Sequence, residues 1–140
     1  RSHSRSGAGL PGLVCAILLA ERSPRTIFTL IESDKRKCAF LSAAAREAGL
    51  AVTVLPERIE AASPRASDVI SARALAPLDR LFSLASPHMT KDTVLLFPKG
   101  RTFQDELDAA KAGWSFTAEL YPSITDPEAR IVRCHGLCRA

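Results

Sequence analysis

The sequence predicts an α/β chain on a doubly wound, mostly parallel sheet, and three observations lead there. Short β-branched and aromatic runs alternate with amphipathic helical patterns four times. A glycine-rich turn, Gly7-Ala8-Gly9-Leu10-Pro11-Gly12, is followed twenty residues later by Glu32, at the close of the apolar run Ile27-Phe28-Thr29-Leu30-Ile31. The residues with chemistry to offer also fall where strands end, and open α/β sheets bind their ligands at that end.

Taken in order, Pro11–Glu21 reads as a helix, with proline in its first turn and Leu13, Val14, Ile17 and Leu18 on one face. Ser23-Pro24 breaks it. Thr26–Glu32 is a buried parallel strand by its β-branched content. Ser33 or Asp34 caps the helix Lys35–Ala48, whose Cys38, Leu41, Ala45 and Ala48 recur at three- and four-residue spacing, and Gly49 stops it. Ala51–Leu55 is a third strand-like run, Glu57–Ala62 a helical turn, Ser63-Pro64-Arg65 a loop and Asp68–Ala72 a strand. Leu78–Leu84 is a helix after Pro77, Thr93–Phe97 a strand halted at Pro98-Lys99-Gly100, and Phe103–Ala112 an amphipathic helix ended by Gly113. Trp114–Tyr121 and Arg130–Leu137 make a terminal antiparallel hairpin, with Trp114 packing there. A turn of the Gly7–Gly12 type should follow a strand, yet Arg1-Ser2-His3-Ser4-Arg5 has no apolar content, so the first strand is expected to be missing or degenerate.

The bulk numbers bound the answer. The 140 residues suit one domain, and 46% hydrophobic with 24% charged residues can bury a core. No apolar run spans a bilayer, no signal peptide is visible, and the expectation is a cytoplasmic protein without a membrane partner. The net charge of +4 permits a nucleic-acid partner without demanding one, but it is unevenly placed, with Lys35-Arg36-Lys37 forming a compact basic run. Of four cysteines, Cys15 and Cys38 sit in apolar helical patterns and read as small buried hydrophobes. Cys134 and Cys138 flank His135, but a closed zinc site needs four ligands and no second cluster supplies them, so reduced thiols and no metal are expected. His3, His88 and His135 have no partner pattern.

Glycines let backbone approach a ligand closely, and an acid at the next strand's end accepts hydrogen bonds from ribose hydroxyls. Gly7, Gly9 and Glu32 therefore point to an adenosine-containing cofactor. The pairing serves nicotinamide cofactors and S-adenosylmethionine alike, and a fragment of an NAD-dependent oxidoreductase stays open on these residues. Arg73, between two alanines, suits a cofactor carboxylate or an RNA phosphate. Lys35, Arg36, Lys37 and Lys99 are candidate RNA contacts.

Together, Ser6-Gly7-Ala8-Gly9-Leu10-Pro11-Gly12, Glu32-Ser33-Asp34-Lys35-Arg36-Lys37, Glu57-Arg58-Ile59-Glu60, Ser71-Ala72-Arg73-Ala74 and Phe97-Pro98-Lys99-Gly100 resemble, in order and spacing, the bacterial 16S ribosomal RNA (guanine-N7) methyltransferase G family, also called glucose-inhibited division protein B. The resemblance runs from Ser6 onward. It implies a class I S-adenosylmethionine-dependent methyltransferase (Rossmann-like) sheet of seven strands with a C-terminal antiparallel hairpin. It further implies methyl transfer from S-adenosylmethionine to N7 of a guanine in 16S ribosomal RNA, with the small ribosomal subunit as partner. By this resemblance Leu10 contacts cofactor in the glycine turn, Ile59 and Glu60 flank the adenine, Arg73 lies in the cofactor site and Glu32 meets the ribose.

The family's turn begins with an acid, an apolar residue and a first glycine, where this chain has His3, Ser4 and Arg5. Arg5 thus stands at a cofactor-binding position that favours glycine. The family's N-terminal helical segment has no counterpart here, so residues 1–140 are expected to form a single methyltransferase domain truncated at its N-terminus, with a catalytically inactive remnant as the alternative. Methylating N7 needs alignment and no general base, because N7 carries a lone pair and no proton. In keeping with that, no catalytic dyad stands out, and the Asn/Asp-Pro-Pro-Tyr motif of exocyclic-amine methylases is absent.

Overall fold

The computed structural model describes residues 2–5, 27–72, 76–124 and 126–140. Seven strands form one sheet in the order β3-β2-β1-β4-β5-β7-β6. These are β1 Ser2–Arg5, β2 Ile27–Ile31, β3 Val52–Leu55, β4 Ser67–Ser71, β5 Met89–Lys99, β6 Trp114–Pro122 and β7 Arg130–Arg139. The first five are parallel, and β7 enters antiparallel between β5 and β6. Three α-helices lie among the described residues: α1 Lys35–Glu47, α2 Leu78–Ala85 and α3 Phe103–Ala110. The expected helix over Pro11–Glu21 and the glycine turn fall outside the described residues.

The choice between a missing and a degenerate first strand resolves to the second. Ser2–Arg5 occupies the centre of the sheet, paired with β2 from Ser2↔Ile27 to Arg5↔Leu30 and with β4 at His3↔Val69 and Ser4↔Ile70. A parallel ladder is made by backbone N–H and C=O groups, so a polar tetrapeptide can hold this place when both neighbours are ordered. Hydrophobic patterning cannot detect such a strand.

Register places the two cores on opposite faces. Paired residues share a face and successive residues alternate. Thr29, Ile70, Leu95, Phe97, Val132 and Cys134 therefore share one face, and Leu30 points to the other. On Leu30's side, Leu41 and Ala45 of α1 close a small core with Leu50, Val52 and Val54. On the other side, Leu78, Leu81, Phe82 and Ala85 of α2 and Leu107 and Ala110 of α3 cover the larger one. Phe82 lies at its centre, with ring centroids 6.2 Å from Phe97, 5.9 Å from Trp114 and 5.0 Å from Phe116. Trp114 is buried at the hairpin as expected, with the Arg139 guanidinium 4.1 Å above its ring.

Local chemistry explains the helix ends. The Asp34 carboxylate accepts from the backbone N–H of Arg36 and of Lys37, at 2.9 and 3.2 Å, and caps α1. Gly49 leaves the helix at φ 67°, a conformation that penalises any Cβ. Strand β5 is longer than the expected Thr93–Phe97. It starts at Met89, where the Thr93 hydroxyl bonds the Ser67 carbonyl at 2.6 Å and ties the polar segment to β4.

Replacing Phe82 by alanine removes the aromatic hub of the larger core. The expected loss is about 3–5 kcal/mol of unfolding free energy, read as a lower urea midpoint with unchanged slope.

Candidate functional site

A doubly wound sheet opens a crevice where its strand order reverses, outside the carboxyl ends of the strands. Here the reversal lies between β1 and β4. Five chain ends meet at that edge: Arg5 of β1, Glu32 after β2, the turn after β3, Ala72 after β4 and Lys99 of β5. The hairpin joins them, since Arg130 and Pro122 pair at the level of Lys99.

Glu32 is the most informative of these. Its backbone N–H continues the β2–β3 ladder by bonding the Leu55 carbonyl at 3.0 Å. Its own carbonyl accepts a 3.1 Å hydrogen bond from the Cys38 thiol, one turn into α1. Burial pushes the Cys38 thiol up, and the nearby charges of Glu32 and Asp34 push the same way, so the neutral donor is maintained. The residue is only 7% exposed, and its carboxylate has no hydrogen-bond or ion-pair partner among the described residues. Buried polar groups are nearly always bonded. A ligand that brings hydroxyl donors to the end of β2, as a ribose does, fits this acid.

The turn after β3 is held by backbone bonds from Ala61 to Arg58 and from Ala62 to Ile59, at 3.0 and 3.3 Å. Ile59 is half-buried and Glu60 exposed. The cation facing Glu60 is Arg80 of α2, at 3.8 Å. Both partners are well exposed, and such a pair contributes little to stability. The contact links the post-β3 turn to the helix after β4 on the same edge of the sheet.

Lys99 requires a correction. Expected as an RNA contact, it is 6% exposed and turned into the protein. Its ammonium donates to the Ala76 carbonyl at 2.6 Å and pairs with Glu106 of α3 at 2.6 Å. A lysine so engaged has no charge to offer a phosphate. Instead it ties the end of β5 to α3 and to the segment that leads into α2. Glu106 carries no signal in the sequence beyond its place in the first turn of a helix, where acids suit the dipole.

Lys35, Arg36 and Lys37 form the exposed first turn of α1 and have no acidic partner among the described residues. Arg5 ends β1 at the crevice. Gly7, Gly9, Leu10 and Arg73 lie outside the described residues. His88 is buried at the opposite end of β5 from Lys99. His135 sits on β7, 3.6 Å from Glu119. That glutamate also accepts from Tyr121 at 2.9 Å and Arg133 at 2.7 Å, and the Tyr121 bond foremost holds its carboxyl below the usual range. Cys134 is wholly buried and Cys138 exposed.

Seven strands with an antiparallel β7 between β5 and β6, and a crevice at the β1/β4 reversal, define the class I methyltransferase fold. The order departs from the 3-2-1-4-5-6 sheet of dinucleotide-binding proteins. The solved structure of M. jannaschii TYW2 in complex with AdoMet shares this fold, at a TM-score of 0.70 and 14% identity over 99% of this chain and 69% of that one. The chain belongs to the rRNA small subunit methyltransferase G family, whose profile matches residues 5–131. Ribosomal RNA small subunit methyltransferase G of Ruegeria sp. (strain TM1040) is 49% identical over 96% of this chain and 65% of its own length. That of Parvibaculum lavamentivorans is 52% identical over 94% of this chain and 59% of its own length. The chain thus spans less than two thirds of these curated relatives.

Two outcomes test this geometry. Lys99→Met strands a buried carboxylate, with an expected cost of about 3–5 kcal/mol. The double variant Lys99→Met/Glu106→Met is expected to recover part of that loss, as read by urea denaturation of all four members of the cycle. Burial also raises the Cys134 thiol from 9.0 to about 12. Because its folded pKa lies above the unfolded one, its contribution is complete below pH 9 and is lost as pH rises toward 12. Cys134→Ala is expected to flatten the fall of the unfolding midpoint across that window.

Proposed function

We propose that residues 1–140 form one methyltransferase domain that binds S-adenosylmethionine and methylates small-subunit ribosomal RNA, with N7 of a guanine in 16S RNA as acceptor. The observation that carries the reading is the buried carboxylate of Glu32 at the end of β2, without a partner among the described residues and beside the crevice where the sheet reverses. Family membership supports the RNA substrate, and the shared fold of an AdoMet-bound structure supports the cofactor.

The chain's own part is positioning. Glu32 accepts the ribose hydroxyls, held in place by the Cys38 thiol and the β3 ladder. Ile59 offers an apolar edge to the adenine, with Glu60 beside it. Gly7, Gly9 and Leu10 supply the close-approaching turn, and Arg73 a cation for carboxylate or phosphate. S-adenosylmethionine supplies a methyl group already activated on a sulfonium. Guanine N7 needs no proton removed, so no side chain has to act as a base. The remaining demand is alignment, which can account for about 7–11 kcal/mol of a barrier in well-oriented systems.

Arg5 favours a second reading, that of a domain which folds but no longer catalyses. It stands at the carboxyl end of β1, where the family's turn starts with glycine. Its backbone is not at positive φ, so the conformation is ordinary and the obstacle is the side chain's volume. Because β1 is present, removing that volume is expected to suffice. Calorimetric titration with S-adenosylmethionine should show weak binding to the unaltered chain and tighter binding to Arg5→Gly. Glu32→Gln in the Arg5→Gly background should weaken binding at least about tenfold, the scale of a hydrogen bond to a charged group. NAD should not bind. Binding of NAD alone, or indifference to Glu32→Gln, would refute the proposal.

A further inference from the structure

Helix α1 carries a feature that cofactor binding does not use. Its inward face is Cys38, Leu41 and Ala45. On its outward side Phe40 is 57% exposed, one of two aromatic side chains so displayed among the described residues. Residues three and four apart on a helix are surface neighbours, so Lys37 and Arg36 flank this ring, and Lys35 completes the turn. The cations sit where the helix dipole disfavours them, with no acid in the first turn. The Asp34 carboxylate is already committed to two backbone N–H groups. Glu47, the only acid within the helix, lies two turns beyond Phe40. Neither dipole compensation nor core packing accounts for three cations, without an acid among the described residues, around an exposed ring.

We infer that this face is a docking surface for unpaired RNA, with Phe40 as the platform on which a base stacks and Lys35, Arg36 and Lys37 as the phosphate contacts. Single-stranded nucleic acid is bound by this combination, a cationic track with an aromatic ring beside it. A fully paired helix hides its base faces and would use the charges alone. The location fits delivery to the crevice, because α1 begins three residues after Glu32. The inference rests on the proposed function for the identity of the natural RNA, and on α1 alone for the class of ligand.

The test uses fluorescence anisotropy with a labelled unstructured RNA oligonucleotide and with a labelled RNA duplex. Phe40→Ala should weaken unstructured RNA about tenfold, the usual loss for one stacked base. The slope of log affinity against log salt should stay the same, and duplex binding should hardly change. Phe40→Trp should retain wild-type affinity. Lys35→Ala/Lys37→Ala should instead flatten the salt slope for both RNAs, by about 0.7 for each phosphate left unneutralised on the single strand. Unfolding midpoint and S-adenosylmethionine affinity should match wild type in every variant.

Equal RNA affinity of Phe40→Ala and wild type would overturn the inference and leave the proposed function standing. So would a lowered unfolding midpoint in Phe40→Ala, or self-association of the wild type that this substitution abolishes, since the ring would then serve packing or a second copy. Absence of S-adenosylmethionine binding by both wild type and Arg5→Gly would count against the proposed function, while the anisotropy series would still decide the RNA face.

Discussion

Four residues of backbone ladder hold this molecule together. β1 is the hinge of the strand order: β2 and β3 lie to one side of it, and β4, β5, β7 and β6 to the other. The two halves carry separate cores on opposite faces, α1 against one and α2 with α3 against the other. Neither core crosses the sheet. The halves communicate through parallel hydrogen bonds made by Ser2–Arg5, and the crevice exists only because those bonds set β2 beside β4 at one strand's distance. Every candidate contact inherits its place from that arrangement.

Around the crevice, polar groups work in pairs that anchor segments of backbone. The Cys38 thiol holds the Glu32 carbonyl, Asp34 holds the first turn of α1, and Lys99 holds Ala76. Each such bond is modest in net terms, but each fixes a loop next to a strand end. A site that needs alignment and little acid–base chemistry is served by this kind of construction. Lys99 is the instructive case. Its desolvated ammonium requires both Glu106 and a carbonyl to be tolerable, and meeting that requirement draws β5, α3 and the approach to α2 into one rigid corner.

Helices and most strands were legible because their apolar spacing reports burial directly. Cys38, Leu41 and Ala45 have the period of α1 and are its buried residues. Asp34 and Gly49 are the cap and the stop that their residue types suggest. Three features were not legible. β1 is polar, and its stability comes from neighbours distant in sequence. Lys99 reads as a loop cation because its partners, Ala76 and Glu106, are brought to it only by folding. Phe40 reads as a core residue of an amphipathic helix, yet it falls on the outward side of α1.

What the sequence determined by itself is therefore local or motif-borne: the α/β alternation, the helix caps, the acid twenty residues after the glycine turn, and the order of motifs that identifies the family. Tertiary structure alone decided which strand lies at the centre, which cations face solvent and which face a carboxylate, and that Glu32 is buried with no partner among the described residues. Those outcomes depend on pairing between segments far apart in the chain. Backbone hydrogen bonds and desolvation act on the assembled neighbourhood, and no single stretch of residues encodes that neighbourhood.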